Sequence, residues 1–321
     1  MKSNRHIRAV LLACAVLIST VTSPVFGRGP ARGPVEDTAN KAADFLLTKP
    51  EADGGFGTGF SKGSDIGATA DVIMALAAAS KNIADIKGKS GRTPLDYFAQ
   101  QMRLRKAIST GQYAKMALAV KAAGQNPRAF NGSDLVAAVA KAYNAETGVI
   151  GDSVFVHCLS MLALVRNGAT VPTQAIIKLE SLQSKTGGWA FAGDDKADVD
   201  TTALCGQALI AVGRDARSGS VGKAVGYLRS IQNADGGFPY QTPSQFGTDS
   251  NTNSTALVAQ LIVATGDQPE SWAATKGNPL GFIVSLARPS GAIAYQSAFP
   301  DDNVLASAGA IPALNRKAFG N

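Results

Sequence analysis

The chain has 321 residues, 45% of them hydrophobic and 17% charged, with a formal net charge of +7. That balance belongs to a globular protein and excludes a disordered one. Lys and Arg are scattered and form no basic segment, so no nucleic-acid partner is expected, and with only 2 His there is little scope for imidazole chemistry.

Residues 1–27 begin Met-Lys-Ser-Asn-Arg-His-Ile-Arg, run through an apolar stretch from Ala9 to about Val21, and end on small residues near Gly27. A basic start, a short apolar middle and small residues at the end predict a secretory signal peptide, and the apolar run is too short for a stable membrane span. Its removal takes Lys2, Arg5 and Arg8 and no acid, which leaves a charge of +4. Residues 28–35, Arg-Gly-Pro-Ala-Arg-Gly-Pro-Val, predict a flexible arm. Residues 36–321 remain for one exported domain. Only Cys158 and Cys205 survive cleavage, and they are either paired, as an oxidising compartment permits, or two buried free thiols.

Six small-residue helices follow one ruler, the stretch Thr202-Ala203-Leu204 to Gly213. Its relatives are Thr69 to Ser80, Tyr113 to Gly124, Phe155 to Gly168, Thr255 to Gly266 and Leu305 to Arg316. These stretches are apolar nearly all round, so they predict buried, closely packed helices. Amphipathic stretches alternate with them at about 36–48, 93–107, 133–144, 172–183, 221–232 and 270–286. In 221–232, for example, Val221, Ala224, Val225, Leu228 and Ile231 fall at helical spacing. Six buried helices alternating with six amphipathic ones, without polar capping units at either end, predict an all-α, six-by-six α/α toroid.

A phrase repeats between the two sets. Gln183-Ser-Lys-Thr-Gly187-Gly188-Trp189 and Gln232-Asn-Ala-Asp-Gly236-Gly237-Phe238 each run from Gln through three residues to Gly-Gly-aromatic, and a Thr-Ala-Leu follows each. A fixed phrase of this kind marks stacked supersecondary units, and it sits in the outer-to-inner turns. Asp53-Gly54-Gly55-Phe56 is a fragment of a third copy. The stretch Lys223 to Phe238 resembles the QW repeat of the squalene cyclase and protein prenyltransferase superfamily, with Phe238 in the Trp place. The resemblance covers about 36–321 and implies the toroid fold more than any one chemistry.

Asp198-Val199-Asp200-Thr201-Thr202-Ala203 resembles the DxDDTA signature of class II terpene cyclases, with Thr201 in place of the last Asp. The resemblance implies Asp200 as the general acid on an alkene and Asp198 as its neighbour. Such an acid must hold its proton, which takes a low-dielectric cavity and nearby carboxylates. The repeats offer another reading. Asp198 and Asp200 align with Asp65 and Gly67, with Asn251 and Asn253, and with Asp301 and Asn303, as recurring helix N-caps would. The buried helices carry few aromatics besides Phe155 with which to stabilise a cation.

Protein prenyltransferases hold zinc with an Asp-x-Cys pair and a His; here His157 and Cys158 stand alone on their helix, so no metal is expected. Asp194, Asp195, Asp198 and Asp200 crowd one turn, and a solvated acidic loop explains them without calcium. No phosphate-binding Gly loop or other cofactor motif occurs, and no cofactor is expected. The combined expectation is an exported toroid with a hydrophobic small-molecule ligand at a funnel lined by Trp189, Phe191, Asp198, Asp200, Phe238, Tyr240 and Asn253. The alternatives are the cyclase-type enzyme and a protein-interaction module, whose protein partner the sequence does not identify. Complement-type and cobalamin-carrier proteins share the architecture; the carriers add a second domain after the toroid, so carriage by this chain alone is not expected.

Overall fold

Twelve α-helices occur among the described residues of the computed structural model, which are 33–59, 62–104, 107–192, 196–245 and 247–321. The expected signal peptide, residues 28–32 of the expected arm, Asp194 and Asp195 lie outside them. In chain order the helices are α1 (Pro34–Leu47), α2 (Ile66–Ala78), α3 (Pro94–Arg103), α4 (Thr110–Ala122), α5 (Leu135–Lys141), α6 (Val154–Arg166), α7 (Thr173–Ser181), α8 (Val199–Ala211), α9 (Gly219–Ser230), α10 (Thr252–Ala264), α11 (Pro279–Ser285) and α12 (Val304–Leu314). The first helix begins at Pro34, inside the stretch expected to be a flexible arm. Proline suits that position, since its missing N–H has no intrahelical partner there.

The even-numbered helices form the inner ring. Each packs against the inner helices before and after it, and α12 packs against α2, so the ring is closed. The first outer helix, α1, lies against α12 and α11 and laps the seam. Small residues permit the close approach. A Cβ on Gly206 of α8 would come within 2.9 Å of Leu261 Cδ1 on α10. Sulfur joins two neighbours as well, because Cys158 of α6 and Cys205 of α8 form a disulfide, which decides between the two alternatives the sequence left open.

Every inner helix starts on a side-chain cap. Asp65, Ser109, Ser153, Asp198, Asn251 and Asn303 each accept the backbone N–H three residues on, which satisfies one of the donors left over in a first turn. The expected register is corrected in the sixth unit. Asn303 is the cap, and not Asp301, because Ile293 bridges to Asn303 and fixes that residue at the helix start. The second aligned position is not a cap in the first, fourth and fifth units. Gly67, Asp200 and Asn253 all stand at the second residue of their helices.

Candidate functional site: the central cavity and its rim

The repeated Gly-Gly-aromatic phrase builds the wall that positions the site. Trp189 bridges to the cap residue Asp198, Phe238 to Asn251, and Phe56 to Asp65. The aromatic's own N–H then donates to a hydroxyl in the first turn of the following inner helix: Phe56 to Thr69 Oγ1 at 2.8 Å, Trp189 to Thr202 Oγ1 at 2.9 Å and Phe238 to Thr255 Oγ1 at 2.9 Å. Ser307 does the same for Ile293 at 2.9 Å. In the third unit His157 takes this role, its Nδ1 accepting from Ile150 N–H at 2.9 Å while Nε2 lies 3.0 Å from the Ala175 carbonyl. Burial lowers the pKa of that imidazole, so it is a neutral structural group whose Nε2–H donates. The Thr of each Thr-Ala-Leu is thus the acceptor that docks the turn.

Gln and Gly complete the turn. Gln183 Nε2 donates to the carbonyls of Gly187 and Ser220, each at 2.7 Å, and Gln232 Nε2 to those of Gly236 and Trp272, at 3.0 and 2.9 Å. Gly187 has φ of 96°, and a Cβ there would meet Lys223 O at 2.6 Å, so both backbone conformation and space demand glycine.

This geometry corrects two expected site residues. Trp189 and Phe238 are fully buried, at 0% exposure, and neither reaches the funnel. The bridge to the cap holds them between the rings, where Trp189 Nε1 donates to Leu179 O at 2.8 Å and Phe238 packs on Trp272. Two residues further on, the chain has cleared the helix start. Phe191 is 50% and Tyr240 43% exposed, and Phe191 stacks on Phe155 with ring centroids 6.0 Å apart. They stand at the rim and outside the wall of the central cavity. Their main chains seal the units: the first amide of α6 (Val154) donates to Phe191 O, that of α8 (Val199) to Tyr240 O and that of α10 (Thr252) to Tyr295 O, at 2.8 to 2.9 Å.

Inside the inner ring lies a cavity of about 200 Å³, larger than the roughly 150 Å³ that suffices to hold benzene in an engineered core. At its upper level Phe155, Asp200, Asn253 and Leu305, each the second residue of its helix, face it. Below them the wall includes Met74, Leu257 and Ala308, and Phe319 and Gly320 come in at the far end. A second space of about 720 Å³ shares Asn253 and Leu305 and continues outward past Tyr295 and Phe299. Tyr295 and Phe299 were not among the expected lining residues, because the sixth unit carries Ile293 where the repeated phrase has its aromatic and so hides the turn that bears them. The repeat offset from Trp189 to Phe191 was the signal that would have found Tyr295.

Asp198 and Asp200 serve different ends. Asp198 is buried and accepts Thr201 N–H at 2.7 Å as the cap. Asp200 lies on the cavity wall, and its pKa is raised from 3.8 to about 7, chiefly by burial and further by the charge of Asp198, against the opposing hydrogen bond from Ser254. The partners of that carboxyl are ordered. Asn251 Nδ2 donates to Ser254 Oγ at 3.0 Å, and Ser254 Oγ donates to Asp200 Oδ1 at 2.6 Å. With Oδ1 accepting, the proton of the neutral acid belongs on Oδ2. Burial also raises the pKa of Tyr295, with a smaller contribution from the charge of Asp200. The other charged groups on the wall are Asp71 and Lys115, which pair at 2.6 Å. Among the described residues no group of three or more His, Cys, Asp and Glu is arranged to hold a metal ion, and no helix is long and apolar enough to cross a membrane.

The closed double ring of helices with a cavity at its axis is an α/α toroid, and a model described as the prenyltransferase alpha-alpha toroid domain matches residues 2–117. A model described as eukaryotic cobalamin-binding protein matches residues 95–319, and the chain belongs to that family. No match was found among the curated proteins. Among solved structures, the chain is similar to the type II terpene cyclase MstE from Scytonema in complex with geranylgeranyl dihydroxybenzoate (16% identity, 88% of this chain and 97% of that one, TM-score 0.65). It is similar also to a protein from Actinoplanes (14% identity, 88% and 99%, TM-score 0.61) and to a glycosidase (12% identity, 88% and 96%, TM-score 0.61). Three such different neighbours at these identities share the fold and nothing narrower.

Proposed function

We propose that the chain is an exported toroid that binds an apolar or isoprenoid-like molecule in its central cavity. The cavity itself carries this reading. It offers about 200 Å³ at the axis of the ring, open toward the rim and walled by Met74, Phe155, Leu257 and Leu305, a size and lining suited to a small apolar molecule. Support comes from neighbours of the same fold that hold a prenylated substrate or its product, merosterolic acid A. The leader-like first 27 residues support export, and the Cys158–Cys205 disulfide suits an oxidising compartment. A corrinoid, which the family description suggests, exceeds this cavity and would have to sit at the rim. The test is mass spectrometry of small molecules extracted from the mature protein purified from its native host. A terpenoid or lipid at near-stoichiometric amount supports the reading, whereas an empty protein favours an interaction module.

A second reading makes Asp200 the general acid of a polyene cyclisation. The observation favouring it is a carboxyl that keeps its proton near neutrality beside an apolar cavity. The Oδ2 proton would pass to a terminal alkene carbon, the resulting cation would be captured by the next double bond, and a proton lost from the cyclised cation would restore the acid. Asp200→Asn should then abolish product formation with the fold intact; product formed by that variant at the native rate would dismiss this role.

A further inference from the structure

The cavity's unsatisfied groups and its charge narrow the ligand class, an inference that rests on the binding function proposed above. We propose that the ligand is an uncharged, largely apolar molecule carrying a hydrogen-bond donor, a hydroxyl in the simplest case, and that prenyl diphosphates and other anions are excluded.

Charge comes first. Among the described residues the charged groups on the wall are Asp71, Lys115 and Asp200. Lys115 is spent on Asp71 at 2.6 Å, and Asp200 is either neutral or negative. An anion entering this space would shed its hydration and meet no unpaired cation.

The polar inventory gives the second half. Gln207 and Gln260 occupy the same place, the ninth residue, on the neighbouring helices α8 and α10. Both amides donate onward to the next inner helix, Gln207 Nε2 to Leu257 O and Gln260 Nε2 to Gly309 O, each at 3.4 Å. Their oxygens fare differently. Gln207 Oε1 receives the N–H of Phe319 at 2.9 Å, while Gln260 Oε1 has no partner although the residue is only 2% exposed. Asn253 Oδ1, nearer the rim, is likewise buried without a partner. Both residues line the cavity. Buried acceptors of this kind are rare in native proteins unless something from outside supplies the donor. The C-terminal segment satisfies Gln207, which leaves the Gln260 amide as the deep acceptor at the cavity wall for a donor on the ligand.

Depth sets the length of the molecule. Asn253 is the second residue of α10 and Gln260 the ninth, so the two acceptors are about 10 Å apart along the axis at 1.5 Å per residue. Phe319 and Gly320 occupy the far end, so the ligand enters past Tyr295 and Phe299. A short prenyl alcohol with its hydroxyl leading reaches Gln260 and leaves its hydrocarbon against Leu257, Leu305 and Phe155.

The test is equilibrium dialysis of the disulfide-intact chain with geraniol, geranyl methyl ether and geranyl diphosphate. Geraniol should bind at least about tenfold more tightly than the ether, the factor expected for one hydrogen bond to an otherwise unpaired buried acceptor, and the diphosphate should bind more weakly than either. Gln260→Leu should bring alcohol and ether within about twofold of each other while ether binding persists as the sign of an intact ring. Equal binding of alcohol and ether to the native chain, tighter binding of the diphosphate, or an unchanged preference in Gln260→Leu would overturn the inference and leave the cavity as a binding site. Binding of none of the three would remove the binding function as well.

Discussion

Asp200→Asn separates the cost of burying an acid from every other property of the site. The Asn side chain is nearly isosteric, and its Oδ1 can still accept from Ser254. In the native chain burial raises the acid from 3.8 to about 7, so the folded state holds this proton more tightly than the unfolded state does. The stability tied to it is therefore fully present below pH 3.8 and is lost as the pH climbs through 7, the reverse of a salt-bridged carboxylate. A proton affinity raised by roughly three powers of ten, at about 1.4 kcal/mol for each, sets a ceiling of about 4 kcal/mol. Only part of the change falls between pH 5 and 8, and the face turned to the cavity is partly solvated, so about 2 to 3 kcal/mol is expected over that range. The assay is urea unfolding of native and Asp200→Asn chains at pH 5, 6, 7 and 8, taking their difference at each pH so that all other titrations cancel. The variant should gain on the native chain steadily up to about pH 7.5. A difference that stays flat within about 0.5 kcal/mol, well short of the ~2 to 3 kcal/mol expected from the raised proton affinity, would refute a buried neutral acid.

Removing the Thr202 hydroxyl with Thr202→Val leaves Trp189 N–H buried and unpaired and should cost about 1 to 3 kcal/mol by denaturant midpoint; Thr255→Val, one unit on, should behave alike, and the pair should add. Gly187→Ala and Gly213→Ala both force alanine into positive φ, at 96° and 89°, but only the first drives a Cβ into a carbonyl, at 2.6 Å. Gly213→Ala should cost about 1 kcal/mol and Gly187→Ala at least twice as much, as thermal unfolding of the two variants would show. Replacing both Cys158 and Cys205 by Ser opens a closed loop of 47 residues and should cost about 2 to 4 kcal/mol. A double Ser variant that is as stable as the native chain would show that the unfolded chain gains nothing from the release.

Helix number, order and the closed ring were legible because Ala-rich helices at one register demand identical neighbours, and Thr202, Thr255 and Thr69 recur where the turn docks. Lengths were less legible. The outer helix expected at 133–144 is only Leu135–Lys141, and the one expected at 270–286 shrinks to Pro279–Ser285 after a short 3₁₀ turn at Pro269–Ser271. An amphipathic pattern reports which face is buried and not whether the chain is helical throughout. Trp189 and Phe238 were misplaced for a related reason: Gly-Gly announces a tight turn, but the side on which the aromatic leaves it is set by the cap bridge and the Thr hydroxyl, both tertiary. The repeat alignment read Asp198 and Asp200 alike, as caps. Their environments differ all the same, since the cap position faces backbone amides and the second residue of the helix faces the axis.

The main-chain seam between Val154 and Phe191, Val199 and Tyr240, and Thr252 and Tyr295 has an evolutionary consequence. Each of these contacts is an amide meeting a carbonyl, so none depends on which side chain the rim residue carries. Substitution there can reshape what enters the ring without disturbing how the units register, as a keyhole may be recut without rebuilding the lock. Members of one lineage can therefore diverge in what they admit while their frames remain superimposable, and the aromatics at 191, 240 and 295 are the positions at which that divergence should accumulate first.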